Sequence, residues 1–343
     1  MACCDGEKGV VMRYCVIGAG AMGGLYGLSL AAKGHDVDFL DVDATHVAAI
    51  NRDGFRLSGI TGDITRRVRA STEPEDFASS AEIVLFHPHT HGTRGAAVSA
   101  KTVLKPEGWA VTLQNGIGNV EALVDVLGVD RVVGGISYHS AALGGSGHAV
   151  HTNAGQTYLG ELAGGGSARV DALAYAMCEA GFKAEVVSDI MSVIWTKFAH
   201  NCGVNALCAV SGLRTGDMAR TEAMAEFQGY ILEEIMAVVA AKGIKLTRGD
   251  PVGFIKSHTY LKYNKPSMQQ HMDAARCTEI DSLNGALVRE ANTLGVAVPY
   301  NHALTLMVKG REAAVQRIHG GEDRDFAALE DAAKRFIAHG SRN

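Results

Sequence analysis

The stretch Arg13-Tyr14-Cys15-Val16-Ile17-Gly18-Ala19-Gly20-Ala21-Met22-Gly23 decides the fold. A short apolar run passes directly into G-x-G-x-x-G. A buried strand must end here in a tight turn, and Gly18 can take the backbone angles such a turn demands. Gly20 lacks a Cβ, so the main chain can approach a pyrophosphate. Gly23 lets the next helix pack on the strand, and that helix's N-terminus offers N–H donors and the positive end of its dipole. A bare glycine motif is weak evidence. Here the required context surrounds it: a strand before, a small-residue helix over Gly24–Lys33, then a second strand at Asp36–Leu40. Gly18, Gly20, Ala21, Met22 and Gly23 are therefore the expected dinucleotide contacts.

Working outward, residues 13–187 alternate strand and helix. Strands are expected at Tyr14–Ile17, Asp36–Leu40, Ile83–Phe86, Ala110–Leu113 and Val132–Ile136, giving an α/β doubly wound parallel sheet of Rossmann type. Gly144–Gly160 reads as an antiparallel extension, followed by a helix at Arg169–Ala180 and a strand at Lys183–Val187. Residues 188–343 read as an all-helical domain, expected to bind substrate and to dimerise. Its helices are expected at Ile190–Leu207, Thr221–Lys242, Met268–Leu294 and Asn301–His319, with an amphipathic tail at Asp323–Ala338 that packs on the domain. Residues 1–12 are expected to form a flexible tail. The cleft between the two domains is the expected site.

The whole chain has 343 residues, a formal charge of −5 and seven cysteines. No basic run with interleaved aromatics appears, which argues against a nucleic-acid surface. No apolar stretch is long enough for a bilayer. Cysteines without C-x-x-C spacing, several inside apolar segments, fit buried free thiols in a reducing compartment, so a cytoplasmic location is expected. The leader, with Asp5, Glu7 and Lys8, does not read as a signal peptide.

Two constellations carry chemistry. In Trp195–Asn205, the polar residues Lys197, Asn201 and Asn205 recur at i, i+4 and i+8 among apolar neighbours, forming a stripe on one helical face. A Lys there can present a proton in a cleft, and two amides can fix a polar substrate. The second runs from Lys265-Pro266-Ser267-Met268 to Thr278-Glu279-Ile280-Asp281-x-x-Asn284-Gly285. Ser267 reads as an N-cap. Glu279 and Asp281 point to different faces of the expected helix, one of them a solvated charge, and spacing alone does not choose between them.

Together with Gln114-Asn115-Gly116, Gly147…Val150-His151 and Pro299-x-Asn301, these pieces resemble the ketopantoate reductase family over almost the whole chain. The resemblance implies an NAD(P)-dependent oxidoreductase that moves hydride between a nicotinamide and C2 of a small 2-oxo or 2-hydroxy acid. It implies Lys197 as proton donor, Glu279 holding the substrate hydroxyl, and Ser267, Asn201 and Asn205 binding the substrate's polar groups. Asn115 then lies at the nicotinamide end, shared by cofactor and substrate. A possible homodimer is expected through the helical domain.

The sequence departs from that family in three places. A basic residue commonly ends the second strand, whereas here Leu40-Asp41-Val42-Asp43 is acidic. A carboxylate at Asp41 suits a ribose 2′-OH and repels a 2′-phosphate, so NAD is expected over NADP, with Asp43 read as a helix cap. A Lys near the third main strand gives way to Phe86-His87-Pro88-His89-Thr90-His91. These alternating His residues suggest a loop lining the cofactor site rather than a metal site, since no companion ligand spacing occurs. An acid after the Ser-Met-x-Gln segment is replaced by His271. Two rival readings remain: a β-hydroxyacid dehydrogenase related to phosphogluconate dehydrogenases, from Lys197-x-x-His200-Asn201, and a non-catalytic nicotinamide-binding sensor.

Overall fold

The computed structural model describes residues 11–88, 92–321 and 324–340. His89 and His91 lie outside that set, as do residues 1–10 and Asp323. The first strand, β1 (Arg13–Ile17), pairs in parallel with β2 (Asp36–Leu40) and with β6 (Ala81–Phe86). With β7 (Leu104–Thr112), β8 (Val132–Ser137) and β5 (Arg69–Ser71) they form a six-stranded parallel sheet ordered β8-β7-β6-β1-β2-β5. Alternation along β1 sends Cys15 and Ile17 into one core and Tyr14 and Val16 into the other, as the two-residue repeat of a strand requires.

The expected antiparallel extension divides between two sheets. β11 (Gln156–Glu161) joins the main sheet antiparallel to β8 and carries β12 (Lys183–Val186) parallel beside it. The hairpin of β9 (Ser140–Gly145) and β10 (His148–Asn153) instead builds a separate sheet with β3 (Phe55–Gly59) and β4 (Ile64–Arg66), two strands not anticipated from the sequence. Helix α1 (Ala21–Ala31) lies between the two sheets. A Cβ at Gly24 would collide with Phe55 and Ala149, and one at Gly27 with Phe39 and Val16, so its glycines allow the helix to be buried on both sides.

The helical part differs from the sequence expectation at three points. The single helix expected over Ile190–Leu207 is two, α6 (Ile190–Cys202) and α7 (Asn205–Ser211). The break falls at Gly203, where the missing side chain admits Leu232 and the carbonyl accepts from Gln228 Nε2 at 3.1 Å. The helix expected over Met268–Leu294 is α11 (Ser267–Asp273), a 3-10 turn (Ile280–Ser282) and α12 (Asn284–Leu294). Ala275 at φ 53° stops the first piece, and the Thr278 hydroxyl accepts from Ile280 N to start the turn. The tail does form a helix, α14 (Phe326–Gly340), but its apolar side chains are exposed rather than laid on the domain.

α9 (Glu222–Ala241), α10 (Pro251–Leu261) and α13 (Pro299–His319) complete the helices that frame the site. A buried polar frame ties α9 and α13 to α6 and α12. Asn284 Nδ2 donates to Cys202 O (3.0 Å) and to Asn301 Oδ1 (2.9 Å), while Asn301 Nδ2 donates to Glu234 Oε2 (2.7 Å). The C-terminal end of α6 is thus fixed to α9, α12 and α13. Ile194, Trp195 and Phe198 of α6 pack into the same core as Ala110, Val132 and Ile136 of the sheet, so one apolar core runs from sheet to helices. Among the described residues no helix is long and apolar enough to cross a membrane.

Candidate functional site

The glycine turn has the geometry a dinucleotide needs. Gly18 has φ 90°, and its N–H donates to Leu40 O at 2.8 Å. A Cβ there would lie 2.5 Å from the His87 carbonyl group, and one at Gly23 would collide with Gly18 O. At Gly20, by contrast, an added Cβ would meet nothing within 4 Å, leaving open space against the backbone. The N–H groups of Ala21, Met22 and Gly23 belong to the first turn of α1 and have no intrahelical acceptor. These residues fit a bound pyrophosphate.

A residue not anticipated from the sequence braces this turn. Buried His46 bonds Ala19 O through Nε2 (2.9 Å) and accepts from Gly147 N at Nδ1 (3.1 Å). An accepting Nδ1 places the ring proton on Nε2. Gly147, in the turn between β9 and β10 of the second sheet, is therefore coupled to the glycine turn. Asp41 lies half-exposed at the end of β2, its Oδ1 accepting from Asp43 N (3.0 Å). Asp43 caps α2 (Ala44–Asp53) through Thr45 N and His46 N.

At the next strand ends, the Gln114 amide donates to Pro88 O (2.7 Å) and accepts from the Thr112 hydroxyl (3.0 Å). Asn115 is half-buried, its carbonyl accepting from Asn119 Nδ2 (3.0 Å). Gly116, at φ 88°, presses against Ser282 of the 3-10 turn, bringing this loop onto the helical part. His87 is half-buried and stacked 5.4 Å from Tyr26, and burial pushes its pKa down to about 4.

Lys197 reaches from α6 toward the end of β8, where its amino group donates to Ser137 O and lies 4.8 Å from the centre of the Tyr138 ring. Ser137 and Tyr138 are neighbours of the Lys197 amino group that sequence reading missed. Their position at the C-terminal end of a parallel strand, where ligands gather in such sheets, was the available signal. The Ser137 hydroxyl accepts from Tyr26 (2.8 Å), which also meets Thr157 (2.7 Å). Burial lowers the Lys197 pKa to about 8, opposed by the Glu279 carboxylate.

Glu279 is not in mid-helix, as expected, but precedes the 3-10 turn and accepts from the Ser267 hydroxyl at 2.9 Å. Ser267 is therefore not the N-cap of α11. It is the first helical residue, with its hydroxyl turned toward Glu279. Asp281 instead pairs with Lys309 at 2.6 Å, so the two acids have different partners. Asn201 and Asn205 are buried near the α6–α7 break, so their stripe spans two helices rather than one. His271 lies in the last turn of α11. Among the described residues no group of three His, Cys, Asp or Glu side chains could hold a metal.

Residues 14–164 match the family model for Ketopantoate reductase PanE/ApbA, and residues 189–312 match its C-terminal model. The chain belongs to the ketopantoate reductase family. It is 30% identical over 305 residues to the 2-dehydropantoate 2-reductase of Archaeoglobus fulgidus, covering 89% of this chain and 99% of that one. A PanE/ApbA family ketopantoate reductase from Ralstonia eutropha superposes with a TM-score of 0.81 at 31% identity, over 89% of this chain and all of that one. A D-mandelate dehydrogenase in complex with NADH superposes with a TM-score of 0.78 at 25% identity, over 89% and 100% of the two chains. As a ketopantoate reductase relative, the chain is an NAD(P)-dependent oxidoreductase acting on a small 2-oxo or 2-hydroxy acid.

Proposed function

We propose that the protein interconverts a small 2-oxo acid and its 2-hydroxy acid with NAD in preference to NADP, and that Lys197 is its proton donor and acceptor. A bound nicotinamide supplies or takes up the hydride at the substrate's C2. Reduction leaves negative charge on the former carbonyl oxygen. An ammonium beside that oxygen both stabilises the charge and protonates it. The observation carrying this reading is the Lys197 amino group, which meets the Ser137 carbonyl and whose pKa is lowered to about 8 by burial yet opposed by the Glu279 carboxylate. A lysine so placed is mostly charged near neutral pH and can still give up its proton.

In this reading Glu279 holds the substrate's hydroxyl, and Ser267, Asn201, Asn205 and Asn115 hold its polar groups. Asn115 also borders the nicotinamide. Two features support NAD: Asp41 stands where a 2′-phosphate would be repelled, and a relative of similar fold is described with NADH. The D-mandelate dehydrogenase likeness also supports a 2-hydroxy acid other than pantoate as substrate. We divide the chain into a nucleotide domain over 13–187 and a helical domain over 188–343 that binds substrate and forms a homodimer. Free buried Cys15, Cys202 and Cys208 suit the cytoplasm.

Consumption of NADH and NADPH with a panel of 2-oxo acids, ketopantoate and phenylglyoxylate included, tests the proposal. Turnover of at least one acid with NADH is expected. Absence of turnover across the panel, with intact cofactor binding, would favour the sensor reading instead.

A further inference from the structure

The glycine turn contains one peptide plane that its own residues leave loose. Gly20 caps α1 at φ −63° and ψ −161°, its carbonyl accepting from Gly24 N at 2.8 Å. The plane between Ala19 and Gly20 turns about ψ of Ala19 and φ of Gly20. Glycine resists little at φ, and a Cβ at Gly20 would meet nothing within 4 Å, so no steric contact locks the plane. Among the described residues nothing accepts from the Gly20 N–H. The plane is held instead from α2, where His46, 4% exposed, bonds Ala19 O through Nε2 at 2.9 Å. Gly147 N donates to the other ring nitrogen at 3.1 Å, which leaves the ring proton on Nε2 and makes that atom the donor. An edge contact with Phe55, 5.4 Å between ring centres, sets the ring's orientation.

We infer that His46 is a positioning residue for the cofactor: by holding Ala19 O it aims the Gly20 N–H at the pyrophosphate. Among the described residues no peptide bond is cis, so the Ala19 oxygen and the Gly20 N–H point in opposite directions. With the oxygen turned to the ring in α2, the N–H is turned away from it. It then joins the free N–H groups of Ala21, Met22 and Gly23 at the head of α1. A flipped plane would place the carbonyl oxygen there and repel the phosphates. A carbonyl that accepts a hydrogen bond also polarises its own peptide unit, which strengthens the N–H as a donor. The second bond of the ring, to the tip of the β9–β10 hairpin, fixes this aim against the second sheet. The pyrophosphate is common to NADH and NADPH. The inference therefore rests on dinucleotide binding alone, not on the preference for NAD or on the role of Lys197.

The test titrates the full chain by fluorescence with whichever of NADH and NADPH binds more tightly, then displaces it with ADP-ribose and with adenosine. His46→Leu fills the buried space without either ring bond. It is expected to weaken the dinucleotide and ADP-ribose alike by about ten- to a hundredfold, the range for one hydrogen bond to a charged group. Adenosine, which has no phosphate, stays within about twofold. A general loosening of the fold would weaken all three. His46→Gln supplies a donor to Ala19 O again and recovers most of the loss. Unchanged binding in His46→Leu, equal weakening of adenosine, or a Gln variant as weak as the Leu variant would each overturn the inference. Should the Leu variant not fold, the wild-type ring carries the test, read by NMR of histidine labelled with ¹⁵N. The proton is expected on Nε2 with and without ADP-ribose, its signal shifting on binding. A proton on Nδ1, or an Nε2 signal indifferent to ADP-ribose, would overturn it equally.

Discussion

Replacing Lys197 with Met removes the ammonium while keeping an unbranched side chain of similar length. The loss expected in kcat is about 10²–10⁴, the range for a positioned general acid. At 1.36 kcal/mol per decade this amounts to about 3–5 kcal/mol of barrier. Affinity for NADH, read by fluorescence titration, stays unchanged because the glycine turn is untouched. Reduction requires the ammonium, so its rate falls as pH rises through about 8. Burial holds that pKa down and Glu279 holds it up. Glu279→Gln therefore moves the falling limb to lower pH, with about 1.4 kcal/mol of Lys–Glu interaction for each unit moved. The other groups facing the ammonium are the Ser137 carbonyl, the Tyr138 ring, His139 and His200. Burial puts both imidazoles at a pKa of about 4, so they carry no charge in this range. The assay is initial-rate NADH oxidation between pH 6 and 10 with whichever 2-oxo acid the panel identifies. Wild-type turnover by Lys197→Met, or a limb that stays or moves upward in Glu279→Gln, would refute the reasoning.

Three further outcomes are expected. Wild type favours NADH over NADPH by about tenfold or more in kcat/KM, and Asp41→Ala narrows the ratio by removing the carboxylate that repels a 2′-phosphate. His87 has a folded pKa of about 4 against about 6.5 unfolded. The unfolded chain therefore binds the extra proton between those values, and stability present above pH 6.5 is lost as pH falls. That loss is on the order of 2 kcal/mol by pH 5, and His87→Phe, which keeps the stack on Tyr26, should show a smaller drop in Tm between pH 7.5 and 5. Gly116→Ala forces a side chain into φ 88° and against Ser282, so its Tm should fall, with a cost of about 1–3 kcal/mol.

The parallel sheet was legible because its signal is local. A strand buried on both faces reads as an apolar run, and the glycines after β1 are required by contacts within the same βαβ unit. The errors arose where long-range contacts decide local structure. Nothing in Trp195–Asn205 announces that Leu232 and Gln228 will claim the backbone of Gly203, and that claim breaks the helix. Between Met268 and Leu294 the periodicity continues, but Ala275 takes a left-handed conformation and Glu312 accepts from Thr278 N, giving this segment ties outside any helix.

The same distinction governs the site. Lys197, Asn201 and Asn205 could be singled out because polar residues among apolar neighbours are conspicuous in one dimension. The two acids at 279 and 281 could not be separated that way, since their difference lies in partners far along the chain: Ser267 for one, Lys309 for the other. Ser137 was harder to single out for a stronger reason. It engages the Lys197 amino group through its backbone carbonyl, which every residue possesses, and only the end of β8 places that carbonyl where the amino group arrives. His46 is the analogous case at the cofactor end, a ring whose two nitrogens join the glycine turn to the second sheet. Side-chain identity thus marks where charge and proton transfer can occur. The fold adds the neutral groups that hold those charges in place, and here they lie at the ends of strands and helices brought together from distant parts of the chain.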